Sequence, residues 1–209
     1  TNKVLSEINL KILQGSSIGI IGDSGAGKTT LLNILLGLLH PNSGEVLVDG
    51  KNISNGIRSW QNLIGYVPQN VYLSDDTLKK NIALGIFEEL IDNNKIEDCL
   101  KSSKLKGFIS QLNNGVNTKV GEFGDRISGG QRQRIGIARA LYHNPAILIL
   151  DEYTNALDIE TEKKIVGEVN LLKGKKTIIM ISHRLSALSN CDKIYKITKK
   201  GILGHEIQK

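Results

Sequence analysis

A glycine-rich loop between a strand and a helix constrains the fold of this chain more than any other feature. Residues 22–29 read Gly-Asp-Ser-Gly-Ala-Gly-Lys-Thr and follow an apolar run at 17–21. The glycines let successive backbone N–H groups point inward at a polyanion, and the helix that begins here adds its positive end. Lys28 supplies a point charge, and Thr29 offers a hydroxyl to Mg²⁺. The loop therefore predicts binding of a nucleoside triphosphate.

Length and composition are those of a globular protein. The 209 residues are enough for one sizeable core, and 40% hydrophobic with 23% charged residues is ordinary. No apolar run approaches the ~20 residues that cross a bilayer, and the first residues lack the apolar segment of a signal peptide. Because the chain does not begin with Met, we expect it to be an excised fragment.

The basic charge and the cysteines do not indicate a special function. The net charge is +6, but aromatic residues make up only 4% of the chain, so a solvated surface is favoured over a nucleic-acid site. Cys99 and Cys191 belong to no metal-ligand spacing. We predict that they are ordinary thiols in a reducing compartment.

Strands and helices alternate along most of the chain. The predicted strands are at 4–12, 17–21, 45–48, 63–67, 146–150, 177–181 and 193–197. The predicted helices are at 29–39, 128–143, 160–172 and from 182 to about 190, with helical patterns at 77–112 broken near Gly85, Asn93, Asn94 and Gly107. Strands that alternate with helices predict a parallel sheet with helices on its faces. Together with the phosphate-binding loop, this order predicts an α/β fold of the P-loop NTPase type, with a parallel sheet and an antiparallel β edge. Residues 70–144 would form an inserted helical subdomain between core segments 1–69 and 145–209.

Polar side chains follow several predicted strands at the points where those strands end. Gln69 follows one strand, Asp151 and Glu152 follow another, and Ser182 and His183 follow a third. Ligands of open α/β sheets bind outside the carboxyl ends of the strands, so these groups are expected beside the phosphate loop. Asp151 suits a metal ion and Glu152 suits the attacking water. Taken alone, a glutamine such as Gln69 is more often an ordinary loop residue, and a histidine such as His183 is more often structural.

A second helix start is also informative. Ser128 and Gln131 have the spacing of a capping box, which is sufficient to explain both residues. Gly129 and Gly130 fit that explanation poorly, because glycine weakens a helix start. They are expected where another backbone or an anion comes close, so this serine tip (residues 128–131) is a candidate second phosphate-binding helix end.

Together and in this order, these motifs resemble the nucleotide-binding domain of an ATP-binding cassette (ABC) transporter over nearly the whole chain. The matching elements are Walker A (22–29), the Q-loop glutamine (Gln69), the signature motif (127–131), Walker B (147–151) with its catalytic glutamate (Glu152), the D-loop (155–158) and the switch histidine (His183). The stretches at 67–69, 75–78, 81–85 and 120–125 are similar to the exporter branch. Residues 190–195 faintly resemble lipid or polysaccharide flippases.

The resemblance implies an ATPase that uses Mg²⁺. Glu152 and His183 would be catalytic, and Thr29, Gln69 and Asp151 would ligate the metal. The implied ATP-binding residues are Gly22, Asp23, Ser24, Gly25, Ala26, Gly27, Lys28, Thr29, Thr30, Gln69, Ser128, Gly129, Gly130 and Gln131. The implied partners are a second nucleotide-binding domain, as a homodimer, and a transmembrane domain of the same full-length chain. The domain would lie at the cytoplasmic face of the inner membrane and power export.

Some residues depart from the family pattern. Ile127 replaces a leucine with little change of volume, whereas Tyr153 and Asn155 replace small residues after the catalytic glutamate, so the D-loop contact across a dimer is affected. The aromatic residue that stacks on adenine would lie upstream of this chain. The alternatives are a non-transport ABC ATPase of DNA repair, chromosome structure or translation, and the ATPase subunit of an importer.

Overall fold

A central sheet carries the architecture of the protein in a computed structural model, which describes residues 4–121, 124, 125, 127–155, 157–198 and 201–206. The strands are β1 (Ser17–Gly22), β2 (Leu47–Val48), β3 (Lys51–Asn52), β4 (Ile64–Val67), β5 (Ile147–Asp151), β6 (Thr177–Ile181), β7 (Lys193–Thr198) and β8 (Gly201–Glu206). The sheet order is β4-β5-β6-β1-β7-β8, and its neighbours pair in parallel except at the antiparallel β7–β8 edge. The predicted α/β class with a mostly parallel sheet and an antiparallel edge is confirmed.

Helices flank the sheet. They are α1 (Lys28–Leu35), α2 (Ile57–Gln61), α3 (Leu78–Ile82), α4 (Asn93–Ser102), α5 (Lys106–Ile109), α6 (Gly129–Leu141) and α7 (Ile159–Asn170). Side chains of Thr77, Asp92, Ser128 and Asp158 cap the N-termini of α3, α4, α6 and α7 by accepting backbone N–H bonds. The N-cap of α1 is Gly27, which has no side chain with which to do so.

The sheet is buried on both faces, which explains why its central strands are continuously apolar. Alternate residues of β5 and β6 point to different clusters. Leu148 and Met180 pack with the helical region that follows β4, whereas Ile149 and Ile179 pack with α1 and β1. The two clusters fix the sheet between α1 on one side and α6 and α7 on the other.

Several boundaries differ from the sequence prediction. The strand predicted at 4–12 is absent. Leu5, Ile8, Leu10 and Ile12 do pack against the core, but Glu7 at φ 54° interrupts the extended backbone. The helix predicted up to about 190 is only a 3₁₀ turn at Leu185–Leu188.

The expected helix breaks are only partly correct. Gly85 does lie outside the helices, at φ 82°. Asn93 and Asn94 instead begin α4, because Asp92 caps it, and Gly107 lies inside α5. None of the helices in the described ranges is long and apolar enough to cross a membrane.

Candidate functional site

The strand order brings the predicted site residues to one edge of the sheet. Val67 pairs with Leu150, Asp151 with Ile181, and Ile181 with Ile20. The carboxyl ends of β4, β5, β6 and β1 are therefore neighbours. Glu152 and His183, which follow β5 and β6, line one cleft with the glycine-rich loop, as the parallel arrangement leads us to expect.

The loop is shaped to present backbone N–H groups. Gly25 at φ 74° and Gly27 at φ 100° adopt left-handed conformations, and Gly25 has open space where a Cβ would be. The first N–H groups of α1 have no intrahelical acceptor and no side-chain cap. The first turn of α1 itself carries no acidic residue, so the positive end of the helix faces the loop uncapped within the described part of the chain.

The Lys28 side chain lies inside the loop and donates hydrogen bonds to its backbone. This side chain is buried, and Nζ donates to the carbonyl oxygens of Gly22 at 2.7 Å and Asp23 at 3.0 Å. The ammonium group therefore lies under the loop, while Thr29, Ser24 and Gly25 are exposed. This arrangement suits a large anion that approaches from the loop's open side.

Glu152 lies at the end of β5 in a constrained conformation. Its φ is 45°, its N–H donates to the carbonyl of Ile181 at 2.8 Å, and its side chain is 13% exposed. Oε1 lies 2.7 Å from Nε2 of His183, and Oε2 accepts a hydrogen bond from Nδ2 of Asn155. The expected glutamate and histidine are therefore in direct contact.

Asp151 lies next to a second carboxylate, that of Glu152. Burial, and next the charge of Glu152, raise the pKa of Asp151 above its ordinary value, although Lys28 and a hydrogen bond from Tyr66 oppose this rise. The Tyr66 hydroxyl lies 3.5 Å from Oδ2 of Asp151, and burial together with that carboxylate raises the pKa of Tyr66 to about 12. A cation would relieve the accumulated negative charge at this position.

A cleft of about 330 Å³ joins the loop to the Glu152–His183 pair. Its lining residues are Val4, Ser24, Gly25, Gly27, Lys28, Thr29, Thr30, Glu152 and His183. Six of the fourteen residues expected to bind the triphosphate line this cleft, whereas Gln69 and the serine tip are not among its lining residues. Gln69 is exposed just beyond β4, and its carbonyl accepts a hydrogen bond from Nε2 of Gln133 at 2.9 Å.

The serine tip begins α6 with the capping box that its sequence predicts. Ser128 Oγ accepts from the N–H of Gln131 at 3.3 Å, and Gln131 Oε1 accepts from the N–H of Ser128 at 2.9 Å. Ser128 and Gly129 are exposed. A Cβ on Gly130 would lie 2.7 Å from Cγ2 of Thr161, so packing against α7 of the same chain explains this glycine without a ligand.

Three residues that contact the site or the loops around it were not predicted from the sequence. Arg184 joins buried Glu162 to the backbone after β5, and Tyr66 contacts Asp151. The signal for Glu162 was its spacing from Ile165 and Val166, which puts a carboxylate on the buried face of α7.

The other predicted motifs are partly described. Tyr153 is fully buried and donates to Sδ of Met180 at 3.5 Å, so it fills the core. Ala156 of the D-loop, and Glu122 and Phe123 of the exporter-like stretch, lie outside the described residues.

Comparisons with known proteins identify the family of the chain. The ABC transporter family profile matches residues 5–155. An ATP-dependent lipid A-core flippase of Cupriavidus pinatubonensis is 39% identical over 98% of this chain, which covers 35% of the flippase. Multidrug resistance protein 1 of Entamoeba histolytica is 42% identical over 97% of this chain, which covers 16% of that protein.

A solved structure extends the similarity to three dimensions. A bacterial Atm1-family ABC exporter with ATP bound has a TM-score of 0.88 and 35% sequence identity, and the match covers 97% of this chain and 36% of the exporter chain. The chain thus spans about a third or less of the length of these proteins, all of which are named as exporters, flippases or resistance proteins. It belongs to the ABC transporter family.

Proposed function

We propose that this chain is the ATP-binding and ATP-hydrolysing domain of an ABC exporter, and that it powers transmembrane transport through ATP-driven dimerisation. The observation that carries the proposal is the cleft in which the uncapped start of α1 and Lys28 face the Glu152–His183 pair. A polyanion binder and a candidate base are thereby directed at the same space.

The residues present fit ATP and Mg²⁺. The loop and Lys28 would hold the phosphates, and Ser24, Gly25, Thr29 and Thr30 line the space for them. Hydroxyl, amide and carboxylate oxygens of Thr29, Gln69 and Asp151 would form a hard donor set that suits Mg²⁺. The pKa of Asp151 is raised by burial and then by the charge of Glu152, and a bound cation would favour the charged form of this carboxyl. When bound, Mg²⁺ supplies neutralisation of the developing phosphate charge.

The chain's own groups then have separate tasks. Glu152 orients the attacking water and accepts its proton through the carboxylate. His183, 45% exposed at its side chain, donates from Nε2 toward the terminal phosphate once it parts from Glu152. Lys28 and the loop N–H groups stabilise the charge that develops on the phosphoryl oxygens. Such preorganised groups are typically worth about 10²–10³ in rate each.

A second copy completes the site in this proposal. Ser128 and Gly129 are exposed at the start of α6, so the serine tip is free to approach a triphosphate held by another molecule. Two copies would thus close head to tail over two nucleotides, and hydrolysis would open them. The similarity to exporters favours a transmembrane domain in the same full-length chain, an inserted helical subdomain at 70–144 that receives its movements, and a position at the cytoplasmic membrane face.

Two substitutions test the proposal. Lys28→Ala is expected to abolish ATP binding, because it removes the buried cation under the loop. Glu152→Gln is expected to retain ATP, to form a stable dimer and to lose about 10²-fold or more of the hydrolysis rate. Nucleotide affinity, mass in solution and phosphate release are the measurements. Normal hydrolysis by Glu152→Gln would overturn the assignment of the base, and unchanged affinity in Lys28→Ala would overturn that of the loop.

A further inference from the structure

The carboxylate of Glu152 is held on both of its oxygens. His183 Nε2 contacts Oε1 at 2.7 Å, and Asn155 Nδ2 donates to Oε2. The backbone N–H of Asn155 also donates to the carbonyl of Glu152 at 3.0 Å. The turn from 152 to 155 is therefore closed twice, once through its backbone and once through its side chains. Because Asn155 and His183 contact its two oxygens, the Glu152 carboxylate has little freedom to rotate.

Asn155 is in turn held by the loop that carries His183. Arg184 donates from Nη2 to the carbonyl of Asn155 at 3.2 Å and from Nη1 to the carbonyl of Leu157 at 3.3 Å. The same guanidinium is paired with Glu162, which also accepts from the hydroxyl of Ser186. We call this cluster of Arg184, Glu162 and Ser186 the arginine brace. It links the segment after β5, the segment after β6 and the first turn of α7.

We propose that Asn155 is a positioning residue that fixes the direction of the Glu152 carboxylate and makes that direction depend on the position of the 155–158 segment. The proposal rests on the proposed ATPase function, in which Glu152 acts on water. The small residue that the family resemblance leads us to expect at 155 has no side-chain amide with which to make this tie.

Two properties of the Asn155 amide suit it to this role. It donates to the carboxylate without changing its charge, and each carboxylate oxygen keeps a further lone pair for water. The amide also follows any movement of the Asn155 backbone, whose carbonyl accepts a hydrogen bond from Arg184 of the arginine brace. A displacement of the 155–158 segment therefore moves the carboxylate as well, and a misplacement of about 1 Å can change a rate by about 10²-fold.

Matched substitutions separate positioning from space filling. Asn155→Asp keeps the shape but cannot donate, and it places a second negative charge beside Glu152. Asn155→Ala removes the amide without adding charge. Asn113→Asp makes the same charge change at an exposed position with no side-chain partner among the described residues and serves as the control.

The readout is steady-state ATP hydrolysis by the purified protein, with ATP affinity measured separately. We expect Asn155→Asp to lower kcat about 10- to 100-fold with KM for ATP changed less than about threefold, Asn155→Ala to lower kcat less, and Asn113→Asp to match the wild type. If 155 only fills space, Asp will be close to wild type and Ala the poorer enzyme, which would overturn the proposal. A wild-type protein that binds and hydrolyses ATP while Asn155→Asp is unimpaired refutes the positioning role alone. A wild type that does neither refutes the proposed function and this inference with it.

Discussion

The contribution of the arginine brace to the free energy of unfolding can be predicted by comparing two glutamates of the same helix. Glu162 and Glu160 both lie in the first turn of α7, so the helix dipole acts on each to a similar extent. The Glu162 side chain is 7% exposed and pairs with Arg184, whereas the Glu160 side chain is 80% exposed and pairs with Lys164 at 2.6 Å. Replacing each by alanine therefore compares a buried ion pair with a surface pair in one structural setting.

Removing one partner of a fully buried ion pair costs about 3–5 kcal/mol. Arg184 remains 39% exposed, so water and the carbonyls of Asn155 and Leu157 still solvate part of its charge after the change. We therefore expect Glu162→Ala to lower the free energy of unfolding by about 2–3 kcal/mol, which for a chain of this size lowers Tm by about 4–12 °C. Glu160→Ala is expected to change the free energy of unfolding by no more than about 0.5 kcal/mol.

Urea unfolding followed by circular dichroism, with a thermal scan, measures both variants against the wild type. ATP hydrolysis by Glu162→Ala, measured well below its Tm, is expected to fall because Asn155 loses its anchor. If the two variants unfold within about 0.5 kcal/mol of one another, the brace contributes nothing to stability and the reasoning about its burial is wrong.

Further predictions concern packing and the thiols. Gly65→Ala is expected to lower the free energy of unfolding by about 3 kcal/mol, because its Cβ would lie 2.4 Å from the carbonyl oxygen of Ala140. Gly167→Ala, in open space inside α7, is expected to raise it by about 0.5–1 kcal/mol, and equal effects in urea unfolding would contradict this. Burial raises the pKa of both the Cys99 and Cys191 thiols to about 11. Thiol labelling of the folded protein at pH 8 is therefore expected to be about 100-fold slower than labelling of a free thiol. Fast labelling without denaturant would contradict the burial of these thiols.

The central sheet could be predicted from the sequence because each buried strand is short, apolar and followed by polar residues. β6 occurs at the residues where the pattern predicts it, and the order of the strands then places their ends together. The strand predicted at 4–12 is wrong because alternating apolar residues indicate that one side of a segment is buried, and not that its backbone pairs with another strand. Its apolar residues are partly buried against the core while its backbone is interrupted at Glu7.

The finer structure of the site could not be predicted, because it depends on loop conformations. Arg184 and Glu162 are 22 residues apart and meet only when the segments after β5 and β6 are folded. Asn155 is close to Glu152 in sequence, but their contact requires the left-handed backbone of Glu152. A capping box, by contrast, is a local pattern, and the one at Ser128 is formed as its spacing indicates.

The most direct test of the account is a crystal structure of Glu152→Gln saturated with Mg-ATP. We expect two copies related head to tail, with each triphosphate held at Lys28 of one copy and within hydrogen-bonding distance of the Ser128 hydroxyl of the other. A nucleotide enclosed within a single copy, with both serine tips remote from phosphate, would contradict it.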